Sequence, residues 1–245
     1  MNKFNTFIDM FKNTHNFGYP GFHGDINLIN LIMRLAKSRE VFIETGTFFG
    51  HTSFFVGKNL PHLDCYTCEI NFDHYLISKN ILDGLDNVKI FNNDSIDFLK
   101  KIILNPNISV KRCFFWLDAH GYGFDWPLKK EVEIITKNFK NYYIFIDDFK
   151  VPGLEKKFHY DKYKSQECSY EYIKDNIFGY HYIYFPNYNI GTSYFEPPTG
   201  WCLISNEQID LNLNDEITLD SKSKNNLYKK IPQVLKKIFN KCLQR

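Results

Sequence analysis

Short β-branched and aromatic runs alternate with stretches of helical spacing through the first two thirds of the chain. Five runs read as strands, near residues 41–45, 63–69, 87–92, 112–118 and 142–147, each largely apolar and bounded by turn residues. Between them, residues 51–59, 72–83, 95–104 and 127–138 read as helices. Strands spaced by single helices predict parallel βαβ units with right-handed crossovers, hence an open, doubly wound α/β sheet. Upstream, residues 1–38 read as a helical extension. It has an amphipathic start around Phe4–Phe11, a glycine-rich break at Phe17–Gly24, and an apolar stretch from Ile26 to Ala36 that Asp25 can cap. Downstream the pattern weakens. Residues 149–167 show no clean period and predict a long loop, of the kind that covers a ligand after a strand's C-terminal end. Residues 149–200 as a whole are expected to shape the acceptor side. Tyr180–Phe185 and Trp201–Ser205 predict a terminal antiparallel pair, which brings the sheet to seven strands. Leu227, Ile231, Val234, Leu235, Ile238 and Phe239 fall at helical spacing and predict a basic terminal helix over 222–245. No repeat or linker interrupts residues 1–245, so the chain reads as one domain.

Composition narrows this only slightly. A net charge of +2 is too small to announce nucleic acid as a partner, and the 18% aromatic content carries no functional weight as a class. Cys65-Tyr-Thr-Cys68 has the spacing of half a zinc site, but it lies in a predicted strand and no second pair follows, so two structural thiols are expected. No apolar run approaches membrane-spanning length and the N-terminus lacks a signal-peptide pattern, so a cytoplasmic location is expected. The lysine-rich tail, from Lys222 to Arg245, reads as a solvated helix face or as a weak contact with an anionic membrane surface.

The chemistry gathers at the strand ends. Glu44 closes an apolar strand and is followed by Gly46 and Gly50, which let backbone approach a ligand that a Cβ would push away. The later strands lead to Glu69-Ile-Asn71, Asn93-Asp94-Ser95, Asp118-Ala-His120 and Asp147-Asp148. Ligands of open parallel sheets bind outside these ends, at the point where strand order reverses. Asp94, just before a helix, doubles as a cap. Adjacent Asp147 and Asp148 repel each other unless a cation balances them, and with Asp118 they form a candidate site for a hard divalent ion such as magnesium.

These segments resemble the metal-dependent, catechol-type O-methyltransferases. Glu44-Thr-Gly46-Thr-Phe-Phe-Gly50-His-Thr-Ser looks like their first motif, Cys68-Glu69-Ile-Asn71 like their ribose-binding segment, and Leu117-Asp118 and Ile146-Asp147-Asp148-Phe-Lys-Val-Pro-Gly153 like their metal-bearing segments. Related sugar O-methyltransferases also pair a strand-four Asp and His with paired acids on strand five. The resemblance covers roughly residues 40–153. It implies a class I methyltransferase fold, Rossmann-like, with S-adenosylmethionine as cofactor and Mg2+ as metal. It places Glu44, Gly46 and Gly50 around the methionine end, Glu69 at the ribose hydroxyls and Asp94 at the adenine, adds Thr47, Thr52, Ser53, Asn71, Ser95 and Asp118 to the cofactor-binding residues, and puts the metal on Asp118, Asp147 and Asp148. The chain departs from the pattern at Gly121, where the catechol enzymes carry a lysine, and at His120, which sits two rather than three residues after Asp118.

The resulting expectation is methyl transfer to a hydroxyl of a small molecule, a sugar or glycan ahead of a catechol. His120 is either the general base or a residue that orients Asp118. Tyr122, Asp125 and His159 are further polar groups near the mouth. The alternatives are metal-independent transfer with His120 as base, a nicotinamide-dependent oxidoreductase, and a non-enzymatic membrane-associated protein. The oxidoreductase lacks its Gly-x-Gly-x-x-Gly, and the row of acids argues against the third.

Overall fold

The computed structural model describes residues 21–120, 125–188, 197–209 and the backbone of 217–219. The expected helix at Phe4–Phe11, Tyr122 and the basic helix over 222–245 lie outside the described residues. A tight turn at Phe22–Gly24 leads into α1 (Ile26–Ala36), β1 (Val41–Thr45), α2 (His51–Asn59), β2 (Asp64–Glu69), α3 (Phe72–Leu82) and β3 (Val88–Asn92). Then come α4 (Ser95–Ile103), the single turn α5 (Pro106–Ser109), β4 (Arg112–Leu117), α6 (Leu128–Asn138) and β5 (Asn141–Ile146). The C-terminal part holds β6 (Lys162–Tyr163), β7 (Gln166–Glu167), α7 (Tyr170–Ile173), β8 (Tyr182–Pro186), β9 (Cys202–Ser205) and β10 (Ile217–Leu219).

The main sheet runs β10-β8-β9-β5-β4-β1-β2-β3. β3, β2, β1, β4 and β5 pair in parallel, whereas β9, β8 and β10 add antiparallel strands beyond β5. The doubly wound architecture and terminal hairpin are therefore as expected, with one edge strand more than the seven anticipated. β1 neighbours both β2 and β4, so strand order reverses there and opens the crevice at their C-terminal ends.

Burial explains why these segments take these forms. β1 is buried at all five positions and β4 at all but Arg112, as befits strands covered on both faces. In α1, Leu28, Leu31, Ile32 and Leu35 face inward at helical spacing, and the Asp25 side chain accepts from the amides of Asn27 and Leu28, closing the helix start. The aromatic residues form a ladder across the sheet: Phe114 stacks on Phe42 and Phe145, and Phe145 packs on Trp201. Cys65 and Cys68 are buried without a disulfide, and burial pushes the Cys65 thiol up to about 12, as suits inert structural thiols.

The 149–167 loop is compact rather than loose. The Lys150 amide donates to the Cys168 carbonyl and the Cys168 amide to that of Asp161, and the β6–β7 hairpin lies between. The loop thus folds back over the end of β5.

Candidate active site

The strand ends are knitted together by backbone bonds that continue the sheet. The Gly46 and Thr47 amides donate to the Cys68 carbonyl, Asn93 to Glu69, Asp118 to Thr45, and Asp147 to Leu117. The predicted acidic row therefore forms one continuous edge.

Glu44 is buried, and its Oε2 accepts from the hydroxyls of Ser53 at 2.5 Å and Thr67 at 2.6 Å. Thr47 in turn shares a hydrogen bond with Thr67. Glu44, Thr47 and Ser53 thus tie β1, β2 and α2 beneath the first loop. Burial pushes the Glu44 carboxyl up to about 7. Gly46, Phe48 and Gly50 all have positive φ, at 83°, 49° and 86°, so the loop turns sharply, and the Gly50 amide donates back to the Thr47 carbonyl. At Gly46 a Cβ would sit 2.2 Å from the Asp118 carbonyl oxygen, so only glycine lets β1's exit lie against β4's.

Glu69, at the end of β2, is held from both sides. Its Oε2 accepts from the Phe48 amide at 2.7 Å and its Oε1 from the Asn71 amide at 2.8 Å. A carboxylate has about four acceptor positions, so each oxygen keeps one for a ligand hydroxyl. Asn71 and Asp94 cap α3 and α4: the Asn71 side chain accepts from the Asp73 and His74 amides, and Asp94 from those of Ile96 and Asp97. The Thr52 hydroxyl accepts from the Phe22 amide, tying α2 to the turn before α1.

That turn supplies a residue the sequence reading passed over. His23 Nε2 lies 2.5 Å from Asp147 Oδ2, 124 positions away. Phe22, His23 and Gly24 all have positive φ, a strained conformation held by Phe22 packing edge-on against Trp116. Behind it, Trp201 Nε1 donates to the Tyr188 hydroxyl, which donates to Asp25 Oδ2. Asp147's charge lifts the His23 imidazole to about 10 against the effect of burial, with Asp118 and Asp148 adding to it.

The expected triad of Asp118, Asp147 and Asp148 is only partly brought together. Among the described residues, two groups have ligand atoms that all lie within 4.8 Å of one another: His23, Asp147 and Asp148, and Asp148, His159 and Asp161. Asp118 belongs to neither. It feels the charges of Asp147 and Asp148 nonetheless, and burial first, then those charges, push its carboxyl well up. Asp148 is pushed up to about 8 by burial, then by Asp147 and Asp161, with His23 opposing.

His120 is buried. Its Nε2 lies 3.0 Å from the Asp147 carbonyl oxygen, to which it donates, with Cys168 Sγ 3.5 Å away. Its Nδ1 has no hydrogen-bond partner, and burial lowers its pKa, which favours the neutral ring. Asp125 is exposed.

Glu131 of α6 was also passed over. It is fully buried, facing the Thr45 and Ser95 hydroxyls without an ordinary hydrogen bond to either, and burial pushes it up to about 7. Its position between Leu128, Val132 and Ile135, on an otherwise apolar helix face, is a signal visible in the sequence. A raised carboxyl pKa means that the folded state holds its proton more tightly, so stability falls as pH rises from 4.5 to about 7. Glu131→Gln is therefore expected to stabilise the protein by about 2–3 kcal/mol at pH 8 and by almost nothing at pH 4.5, read from denaturant unfolding.

No family model and no curated protein sequence matches the chain. The fold is that of the class I methyltransferases, as solved structures show. One is an O-methyltransferase from Bacillus cereus in complex with SAH, at 14% identity and a TM-score of 0.54, covering 84% of this chain and 91% of that one. Another is the O-methyltransferase TomG from Streptomyces achromogenes, involved in tomaymycin synthesis, in complex with SAM. It has 14% identity and a TM-score of 0.56, covering 84% of this chain and 90% of that one. No helix among the described residues is long and apolar enough to cross a membrane.

Proposed function

We propose that the protein transfers a methyl group from S-adenosylmethionine to a hydroxyl of a small acceptor, assisted by a divalent metal. The observation that carries the reading is Glu69, fixed by the Phe48 and Asn71 amides beside the Gly46–Gly50 turn, with acceptor positions left for the two hydroxyls of a ribose. The two solved structures named above bind SAH and SAM, the product and substrate forms of this cofactor. The close approach of Gly46 to Asp118, which a Cβ would forbid, brings the first loop against the end of β4.

For the metal, His23, Asp147 and Asp148 are the residues that fit, with Asp118 facing them from β4. An ion there supplies Lewis acidity that lowers the pKa of a bound hydroxyl. An imidazole among the donors favours manganese, cobalt or zinc over magnesium. His120, donating to the Asp147 carbonyl, acts as a positioning residue that fixes β5's end. A sugar or glycan remains the proposed acceptor, and a cytoplasmic location the proposed site of action.

Calorimetry with S-adenosylmethionine tests the reading. Wild type is expected to bind, and Glu69→Ala to bind at least about tenfold more weakly, from the loss of charge-assisted bonds. No binding by the wild type, or unchanged binding by the variant, overturns it. Excess chelator is expected to stop turnover and spare cofactor binding. Turnover that survives chelation means metal-independent transfer instead.

A further inference from the structure

Asp148 belongs to both clusters of ligating side chains, and each cluster supplies one histidine and one further aspartate. We propose that the site holds two divalent cations bridged by Asp148, one on His23 and Asp147 and the other on His159 and Asp161. The inference extends the metal reading above to a second ion.

The second cluster has the geometry of a site rather than of an ion pair. Ligand atoms within 4.8 Å of one another suit a central ion about 2.0–2.4 Å from each. Yet no hydrogen bond joins the side chains of Asp148, His159 and Asp161, and no ion pair of 4.0 Å or less does so among the described residues. At the inner position His23 and Asp147 are bonded directly, so a cation there takes the place of the imidazole proton between them. Three polar groups that converge without bonding leave a gap between them.

Their backbones hold that gap in place. The Asp161 amide donates to the Asp148 carbonyl at 2.9 Å, the His159 amide to Pro198 at 2.8 Å, and the Gly200 amide to His159 at 2.7 Å. The Phe149 amide donates to the Gly200 carbonyl, and a Cβ on Gly200 would lie 2.2 Å from the Phe149 oxygen. The segment around Gly200 is thus laced between the two that carry the outer ligands. Asp148 itself takes a φ of 45°. His159 is exposed and Asp148 and Asp161 half-buried, so an ion reaches the outer position from solvent.

Mixed imidazole and carboxylate donors with a shared carboxylate suit paired manganese, cobalt or zinc.

The experiment is a Mn2+ titration of the full chain, stripped with chelator, followed by calorimetry and by electron paramagnetic resonance. Wild type is expected to take two equivalents and to show an exchange-coupled pair at saturation. His159→Ala and Asp161→Asn are each expected to take one, and Asp148→Asn to bind both at least about tenfold more weakly. Thermal unfolding in chelator, expected to match between wild type and His159→Ala, shows that the exposed substitution leaves the fold intact. One equivalent in the wild type, unaltered by His159→Ala, overturns the second ion and leaves the single-metal reading standing. Two equivalents that survive both His159→Ala and Asp161→Asn, or that show no coupling, overturn the bridged site. No binding by the wild type overturns both readings.

Discussion

Asp147→Asn is expected to weaken divalent-ion binding by about 100-fold or more and to lower methyl transfer with it, while S-adenosylmethionine binding stays within about threefold of wild type. Asp147 is fully buried at the end of β5, and both its oxygens are committed: Oδ1 accepts from the Asp148 amide at 2.9 Å and Oδ2 faces His23. Asparagine keeps the shape and the bond from Asp148 but removes the charge that draws a cation. Cofactor binding is spared because the first loop follows β1 and Glu69 ends β2, with β4 lying between these strands and β5. The same substitution acts on His23, whose imidazole Asp147 holds at about 10. A histidine raised in the folded state adds stability that is complete below its unfolded value of 6.5 and is lost as pH rises through about 10. The metal-free wild type should therefore lose stability between pH 6.5 and 10, and Asp147→Asn should lose less over that window. Manganese titration, NMR titration of the His23 ring and unfolding at the two pH extremes measure the three effects. An unchanged metal affinity would remove Asp147 from the ligand set, and an unchanged His23 titration would sever the pair.

The fold was legible because its central strands are buried on both faces. Cys113–Leu117 and Tyr142–Ile146 are continuous apolar runs that no surface helix would carry, and Asp25 and Asp94 announce helix starts. β10 was missed because three residues at a sheet edge carry no period, and β6 and β7 because they hold two residues each. Among the candidate site residues, Glu44, Glu69 and Asp147 drew notice because strand ends collect ligand groups. His23 was not. It sits in a glycine-rich break whose local spacing says only that the chain turns, and its partnership with Asp147 depends on Phe22 finding Trp116 and the Gly21 backbone lying against Thr52. His159 drew notice only as a polar group near the mouth, because what makes it a ligand candidate is the loop folding back onto β5. Thr47, Ser53, Asn71 and Asp94 have side chains that serve equally as ligand groups, caps or internal ties. Residue type alone does not separate these uses.

Gly46→Ala is expected to destabilise the protein by about 3–5 kcal/mol and to abolish measurable S-adenosylmethionine binding, whereas Gly84→Ala should cost only about 1 kcal/mol. Both glycines have nearly the same backbone, φ of 83° and 87°, so the intrinsic penalty of placing a side chain in the left-handed region is nearly equal. They differ in surroundings. Around Gly84 nothing lies within 4 Å of an added Cβ, but at Gly46 the Cβ would meet the Asp118 oxygen at 2.2 Å, the Asp118 carbon at 2.6 Å and the Ala119 nitrogen at 2.9 Å. These are backbone atoms at the end of β4, and they cannot swing aside as a side chain would. Relief requires the ends of β1 and β4 to part. That strains the bond from the Asp118 amide to the Thr45 carbonyl, and with it the Gly46 and Thr47 amides that lean on Cys68. The penalty thus falls on the point where strand order reverses, so stability and cofactor binding should fail together. Denaturant unfolding of the two variants isolates the clash as the difference between them, and calorimetry reads the binding. If Gly46→Ala behaves like Gly84→Ala in both measurements, the close approach of the first loop to Asp118 is not what shapes the crevice.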